Sequence, residues 1–199
     1  MRFQVLTTPV SERDVRDLRI GDIIHLDGKI VVARDRAHSR LHELAIAGKA
    51  PPFELWGSAI YHCGLLVRRV GEQWEILAAG PTTSARMERF QPEIISRFGV
   101  RMVIGKGGMG ALTSRAMGEF GAVYCAITGG AGALMAKAIK RVEGVKWIEL
   151  GTPEAIWLLA IEKMGPMVVA IDSHGSSLYD EVHRRAKEFL ESRQECSEV

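Results

Sequence analysis

The densest chemistry in this sequence lies in Gly80-Pro81-Thr82-Thr83-Ser84-Ala85-Arg86. The stretch follows a short apolar run, Trp74 to Ala79, and precedes Met87 and Phe90 at helical spacing. It therefore reads as a strand end opening into a helix or helical turn. Gly80 permits a tight bend, and Pro81 has no N–H to lose. Thr82, Thr83 or Ser84 can cap the first free amides. Free amides, hydroxyls and a guanidinium this close together make an anion pocket; the plainer account is a capped turn with a solvated Arg.

Two other stretches repeat the design. Arg34 follows the apolar run Ile30–Ala33, and Lys106 follows Val100–Ile104. Each cation stands where a strand ends and a helix is about to start, the place where ligand sites of open α/β sheets collect. Three cations converging there would suit a small ligand with more than one negative group. A dicarboxylate fits two Arg forks and a Lys point charge. The alternative is three solvated cations that never meet.

Other patterns carry less. Gly105-x-Gly107-x-x-Gly110 has dinucleotide-loop spacing, but no acidic residue clearly ends the following run Val123–Ile127, and the phosphate-loop order is absent. Gly129-Gly130-Ala131-Gly132 suits close helix–sheet packing. Asp172-Ser173-His174 is a turn, since adjacent side chains point apart. His38 and His42 have helical metal-ligand spacing without a third ligand. His25, His62 and His183 share no spacing, so no metal is assigned to this chain. Cys63, Cys125 and Cys196 are far apart with no CxxC, and read as buried or incidental thiols.

The elements that would position these residues come from an ordinary globular composition, 47% apolar and 25% charged over 199 residues, read as a single domain spanning 1–199. The net charge of +2, without a basic run interleaved with aromatics, argues against a nucleic-acid surface. No run of about 18 apolar residues suggests a membrane span, and no signal-peptide pattern opens the chain, so a cytoplasmic location is expected. Strands are expected at Phe3–Thr7, Ser58–Val67, Trp74–Ala79, Val100–Ile104, Val123–Ile127, Trp147–Leu150 and Met167–Ile171. Hairpins are expected around Asp27-Gly28 and Val70-Gly71-Glu72. Ser11 caps a first helical turn with Asp14 three residues on. Further helices are expected through Leu41–Ala47, Glu93–Phe98, Ala111–Phe120, Leu134–Val142 and Val182–Leu190, with a helical turn at Thr152–Glu154 and fraying from Gln194 onward. Strands and helices alternate with hairpins mixed in, which gives an α/β fold with a mixed sheet.

The motifs Gly80-Pro81-Thr82-Thr83-Ser84-Ala85-Arg86-Met87, Gly105-Lys106-Gly107-Gly108-Met109 and Gly151-Thr152-Pro153-Glu154-Ala155-Ile156-Trp157 together resemble the C-terminal domain of class I fumarases. Arg34-Asp35-Arg36-Ala37-His38 and Asp172–Tyr179 fit the same family, so the resemblance runs from about Gly21 to Tyr179. That domain also occurs as the separate β subunit of two-chain fumarases and of L(+)-tartrate dehydratase. The resemblance implies a swivelling β/β/α fold and an iron–sulfur hydro-lyase: fumarate hydratase, with L(+)-tartrate dehydratase as the alternative. It implies a [4Fe–4S] cluster held by three Cys of a separate α subunit and not by this chain. It assigns Thr82 the part of catalytic base, Arg86 and Lys106 contacts to the substrate carboxylates, and Arg34 a further contact that neighbouring Arg36 could take instead. A Thr hydroxyl needs adjacent positive charge to act as a base, so a positioning role for Thr82 stays open beside it. A non-catalytic anion-binding module and a scaffold that only covers the partner's site are the remaining alternatives.

Overall fold

The computed structural model describes residues 2–195, so Cys196 and the end of the expected fraying segment lie outside the described residues. In chain order the elements begin with β1 (Phe3–Thr7), α1 (Glu12–Asp17), β2 (Ile23–Ala33), α2 (Asp35–Ile46) and β3 (Ala59–His62). A hairpin follows, β4 (Leu66–Val70) and β5 (Gln73–Ala78), then α3 (Gln91–Phe98), β6 (Met102–Gly105), α4 (Ala111–Phe120) and β7 (Val123–Ala126). The chain closes with α5 (Gly132–Ala138), β8 (Ile139–Lys146), β9 (Ile156–Ile171) and α6 (Leu178–Glu195).

The main sheet has the order β1-β2-β3-β6-β7-β9-β8, and β9 also pairs with β2. Strands β2, β3, β6, β7 and β9 thereby close into a ring. Strand alternation then sorts the side chains into two cores. Ile24, Leu26, Ile30, Val32, Tyr61, Met102, Ile104, Val123, Cys125, Leu159 and Val169 form the inner one. Their neighbours Val31, Ala33, Ile60, Val103, Tyr124, Ile156 and Ala170 face outward and pack on Ala37 and Leu41 of α2, Ile94 and Ile95 of α3, and Met117 of α4. Burying each Val, Leu, Ile or Met among them contributes about 1.5–3 kcal/mol, so the two faces of the ring together fix the register of every strand in it.

Strands β2, β3, β6 and β7 run parallel, with Ala33 beside His62, Tyr61 beside Ile104 and Gly105 beside Ala126. Their carboxyl ends therefore share one rim. Arg34, Gly64 and Lys106 all leave that rim. The β4–β5 hairpin returns the chain to it: Pro81 bridges to Cys63 and Thr83 bridges to Lys106.

Several expectations change. Asp27-Gly28 is not a hairpin; β2 runs straight through it. Gly28 has φ +100°, and a Cβ there would stand 2.5 Å from Thr8 Oγ1, so this glycine serves a close crossing inside a strand. Strand β9 pairs with β2 on both sides of that point and with Gly28 itself, after register shifts on either side of Leu26. The helix expected to reach Val142 stops at Ala138, because Ile139–Lys146 pairs with β9 instead. Trp147 takes φ 59° and leads into a 3-10 turn over Ile148–Leu150, not a strand. Ser58–Val67 divides into β3 and β4, while Leu158 and Met167 belong to one continuous strand, β9.

Candidate functional site

Arg34 ends the extended backbone of β2 and is the N-cap of α2. The next residue, Asp35, opens that helix, where a carboxylate is favoured by the free amides. Arg86 reaches Asp35 from the 3-10 turn Ser84–Met87. Its Nε and Nη2 form a fork on the two carboxylate oxygens, both at 2.8 Å. The same Nη2 donates to Thr82 Oγ1 at 2.6 Å. Arg34 Nε lies 3.1 Å from Asp35 Oδ2 and 2.8 Å from Glu154 Oε1. The Arg86 guanidinium, with Arg34 behind it, holds the Asp35 carboxyl down at about 2.

The structure thus brings Arg34, Arg86 and Thr82 together and adds two carboxylates that sequence reasoning left without a role. Asp35 and Glu154 engage Arg34 through Nε alone, so its two terminal amino groups have no hydrogen-bond partner among the described residues. Arg86 likewise keeps Nη1 without one. A guanidinium gripped on one edge presents the other to a ligand in fixed orientation. The signal for Asp35 was present in its adjacency to Arg34; nothing in the sequence linked it to Arg86.

Arg36 turns elsewhere. Its side chain donates to the Leu150 carbonyl at 3.2 Å, and its backbone N–H donates to Glu154 Oε2 at 2.9 Å. Of the two neighbours, Arg34 is the one in the cluster. The Lys106 backbone is stitched to the Thr82 loop, its carbonyl accepting from Ser84 N–H at 3.0 Å and its N–H donating to the Thr82 carbonyl at 3.4 Å. Its side chain passes over Gly129, where a Cβ would stand 3.7 Å from Nζ. Glu88 joins the same two segments. It accepts from Gly110 N–H at 2.7 Å and from Thr113 N–H at 3.1 Å and hydroxyl at 2.7 Å, capping α4. The cluster is open to solvent, with the Arg86 side chain 43% exposed. A separate hollow lined by Met109, Ser114, Arg115, Ser173 and His174 lies between α4 and the Asp172–Ser177 turn.

Gly64 leaves the space that Arg34 fills. A Cβ there would meet Arg34 Nη1 at 2.8 Å, Arg34 Cδ at 2.9 Å and the Pro153 carbonyl at 3.2 Å. Gly64→Ala is expected to displace Arg34 while the fold persists, because the flexible side chain yields first. Ligand affinity should fall about tenfold, equivalent to ~1.4 kcal/mol, with circular dichroism unchanged. Titration calorimetry with a dicarboxylate would check it, and unaltered affinity would remove Arg34 from the site.

The other expected residues settle as follows. His38 turns inward and is fully buried, whereas His42 packs near Phe90, so the two do not face a shared ligand. Asp172 Oδ1 accepts from His174 and Ser176 N–H groups, which makes the segment a turn. Gly132 packs against Gly80 at 3.3 Å from a built Cβ, as close packing requires. Cys63 and Cys125 are buried, and burial pushes both thiols up to about 12. A protonated thiol is a poor iron or zinc ligand, and no group of three His, Cys, Asp or Glu among the described residues has the arrangement of a metal site.

The fold is a mixed α/β one of the swivelling β/β/α kind, closed on a ring of strands with its cationic loops on one rim. Residues 2–182 match the family model described as Fumarase C-terminus, and the chain belongs to that family. It is 44% identical over 191 residues to the L(+)-tartrate dehydratase subunit beta of Escherichia coli K12, covering 96% of this chain and 92% of that one. It is 42% identical over 182 residues to a putative L(+)-tartrate dehydratase subunit beta of Methanocaldococcus jannaschii, covering 91% and 93%. A putative fumarate hydratase class I of Geobacillus stearothermophilus is 40% identical over 190 residues, 95% of this chain but 36% of that protein.

Proposed function

We propose that this chain is the β subunit of a hydro-lyase acting on a four-carbon 2-hydroxy dicarboxylate. L(+)-tartrate is the first substrate, since relatives spanning the same length carry that activity in their names. Malate–fumarate interconversion is the second reading, favoured by the fumarate hydratase relative that matches nearly all of this chain. One observation supports the site above others: Arg34 and Arg86 are gripped by the single carboxylate of Asp35, leaving free donor edges beside the Thr82 hydroxyl.

In this reading the free edges of Arg34 and Arg86, with Lys106, bind the two substrate carboxylates. Thr82 Oγ1 accepts an N–H from Arg86, which stabilises negative charge on that oxygen. Once its own proton has passed to solvent, the Thr82 alkoxide can take the proton lost from the carbon next to a carboxylate; as a neutral hydroxyl it can only orient the group that does. The names of the relatives imply a separate α subunit as partner. The described residues of this chain do not fit an iron–sulfur cluster, whose place in the reading is on that partner.

Co-expression with the α subunit, followed by assays of oxaloacetate from L(+)-tartrate and of fumarate from (S)-malate, tests the reading. Turnover of at least one diacid by the complex, and by neither chain alone, is expected; the larger kcat/KM names the substrate. An inactive complex, with the dicarboxylate bound by this chain alone, would replace the enzyme reading with an anion-binding module.

A further inference from the structure

Behind the cationic loops lies a row of polar side chains that the proposed chemistry does not use. His38, His62, Ser84, Gln91 and Tyr124 are each fully buried. Burying so many polar groups in an otherwise apolar core is costly unless each proton has an acceptor. Gln91 Oε1 lies 3.1 Å from Nε2 of both His38 and His62, and its amide nitrogen has no partner. His38 Nδ1 is 3.2 Å from the Arg34 carbonyl, and His62 Nδ1 is 2.9 Å from Ser84 Oγ. Tyr124 Oη is 3.0 Å from both Ser84 Oγ and the Gly107 carbonyl.

With both imidazoles neutral, only one placement of protons pairs every ring nitrogen in this row. A carbonyl accepts, so His38 must donate to Arg34 from Nδ1, and its Nε2 must accept. That requires the Gln91 amide to turn by 180°, exchanging Oε1 for its nitrogen and giving one N–H to each ring Nε2. That removes the unpartnered buried nitrogen that the opposite orientation leaves, at the smaller cost of an unpaired carbonyl oxygen. His62 then donates from Nδ1 to Ser84, Ser84 donates to Tyr124, and Tyr124 donates to Gly107. Two polarised chains run outward from Gln91 and end on two backbone carbonyls.

Those ends are informative. One is the carbonyl of Arg34. The other belongs to Gly107, the residue after Lys106. Between them Ser84 sits midway from Thr82 to Arg86. Gly105 supports the same reading: a Cβ there would stand 2.0 Å from Ser84 Oγ, and its φ is not in the left-handed region, so this position is glycine to admit the hydroxyl.

We infer that the His38–Gln91–His62–Ser84–Tyr124 row is a positioning network that holds the Arg34, Thr82–Arg86 and Lys106 loops at fixed separations, so that the anion site is formed before ligand arrives. The inference rests on the proposed function for its kinetic consequence, but not for its geometry. Side chains joined in one row respond as a unit to its interruption.

The test uses Ser84→Ala and Tyr124→Phe, each losing one hydroxyl, and the double variant. In the αβ complex each single variant is expected to lower kcat/KM for the diacid about tenfold or more, as small misplacements of binding groups do. The double variant should lose no more than the worse single. Ile95→Val on α3, a core change outside the row, should leave kcat/KM unchanged. Fully additive losses, or losses equal to that of Ile95→Val, would overturn the network. A second readout needs no activity. In this chain without its partner, imidazole nitrogen NMR should show His38 and His62 both protonated at Nδ1, and Ser84→Ala should shift the backbone amide signals of Arg34 and Lys106. The opposite tautomers, or an unmoved Arg34 amide, would overturn the inference. If the wild-type complex turns over neither diacid, the functional reading fails and this second readout still decides the network.

Discussion

Replacing Arg86 by alanine in the αβ complex is expected to lower kcat/KM for the diacid about a thousandfold, the equivalent of ~4 kcal/mol. Three interactions go together. The fork on Asp35 disappears, leaving that carboxylate to Arg34 alone. Thr82 Oγ1 loses the cationic donor at 2.6 Å that would stabilise charge on it. The free Nη1 edge offered to the ligand is lost as well. Arg86→Lys separates these effects. A lysine restores charge but not the planar fork, so it should recover only a small part of the loss. Steady-state kinetics on the purified complex, with circular dichroism to confirm folding, provides the measurement. Retention of more than about a tenth of wild-type kcat/KM, less than ~1.4 kcal/mol, would place the site elsewhere.

That a cation belongs at position 86 was legible from local pattern alone. A glycine and proline after an apolar run, then hydroxyls, then Arg, describe a strand end in any fold. The same kind of local signal placed the Ser11–Asp14 capping box and the helix Ala111–Phe120, both found as expected. The ring of strands was not legible, because it depends on pairings between distant segments. Gly28 illustrates the difficulty. Asp-Gly between apolar runs is a hairpin signal, yet here the glycine serves the crossing of Thr8 over an unbroken strand. The end of α5 failed for the same reason: Ile139 and Val142 keep helical spacing locally, and the long β9 claims them for a sheet.

Within the site the division is similar. Cations at strand ends can be read one at a time. Their partners cannot, because Asp35 meets Arg86 across 51 positions of sequence and Glu154 meets Arg34 across a wider gap. The imidazoles were the hardest. Four-residue spacing between His38 and His42 is compatible with metal ligands on a helix but came without a third ligand, whereas His38 in fact points into the core and meets His62 edge-on, with ring centroids 4.8 Å apart. Gln91 carries no sequence signature at all. A buried amide becomes informative only when both rings it touches are known.

The buried imidazoles also set the protein's behaviour in acid. Burial pushes His38 down from 6.5 to about 4, and His62, buried and beside His38, lies well below its ordinary value. Above pH 6.5 neither the folded nor the unfolded chain protonates these rings, and they add no pH dependence. As pH falls below 6.5 the unfolded chain binds protons that the folded chain refuses, so stability must fall with it. Each ring contributes up to about 1.4 kcal/mol per pH unit in this window. By pH 4 the loss from His38 alone reaches about 3 kcal/mol, a large share of the 5–15 kcal/mol or so that holds a typical domain together. Asp35 acts in a separate range. Its carboxyl is held near 2 by Arg86, so its contribution is intact above pH 3.8 and is lost only as pH falls toward 2. Urea unfolding between pH 8 and 4.5 should therefore show a plateau above neutrality and a steep decline beginning near pH 6.5. A His38→Gln variant, whatever its stability at pH 8, should show a visibly shallower decline, because one of the two proton-refusing rings is gone. Stability that stays level down to pH 5 would mean that the rings take up protons inside the fold, and that the polar row is built on charged histidines instead of neutral ones.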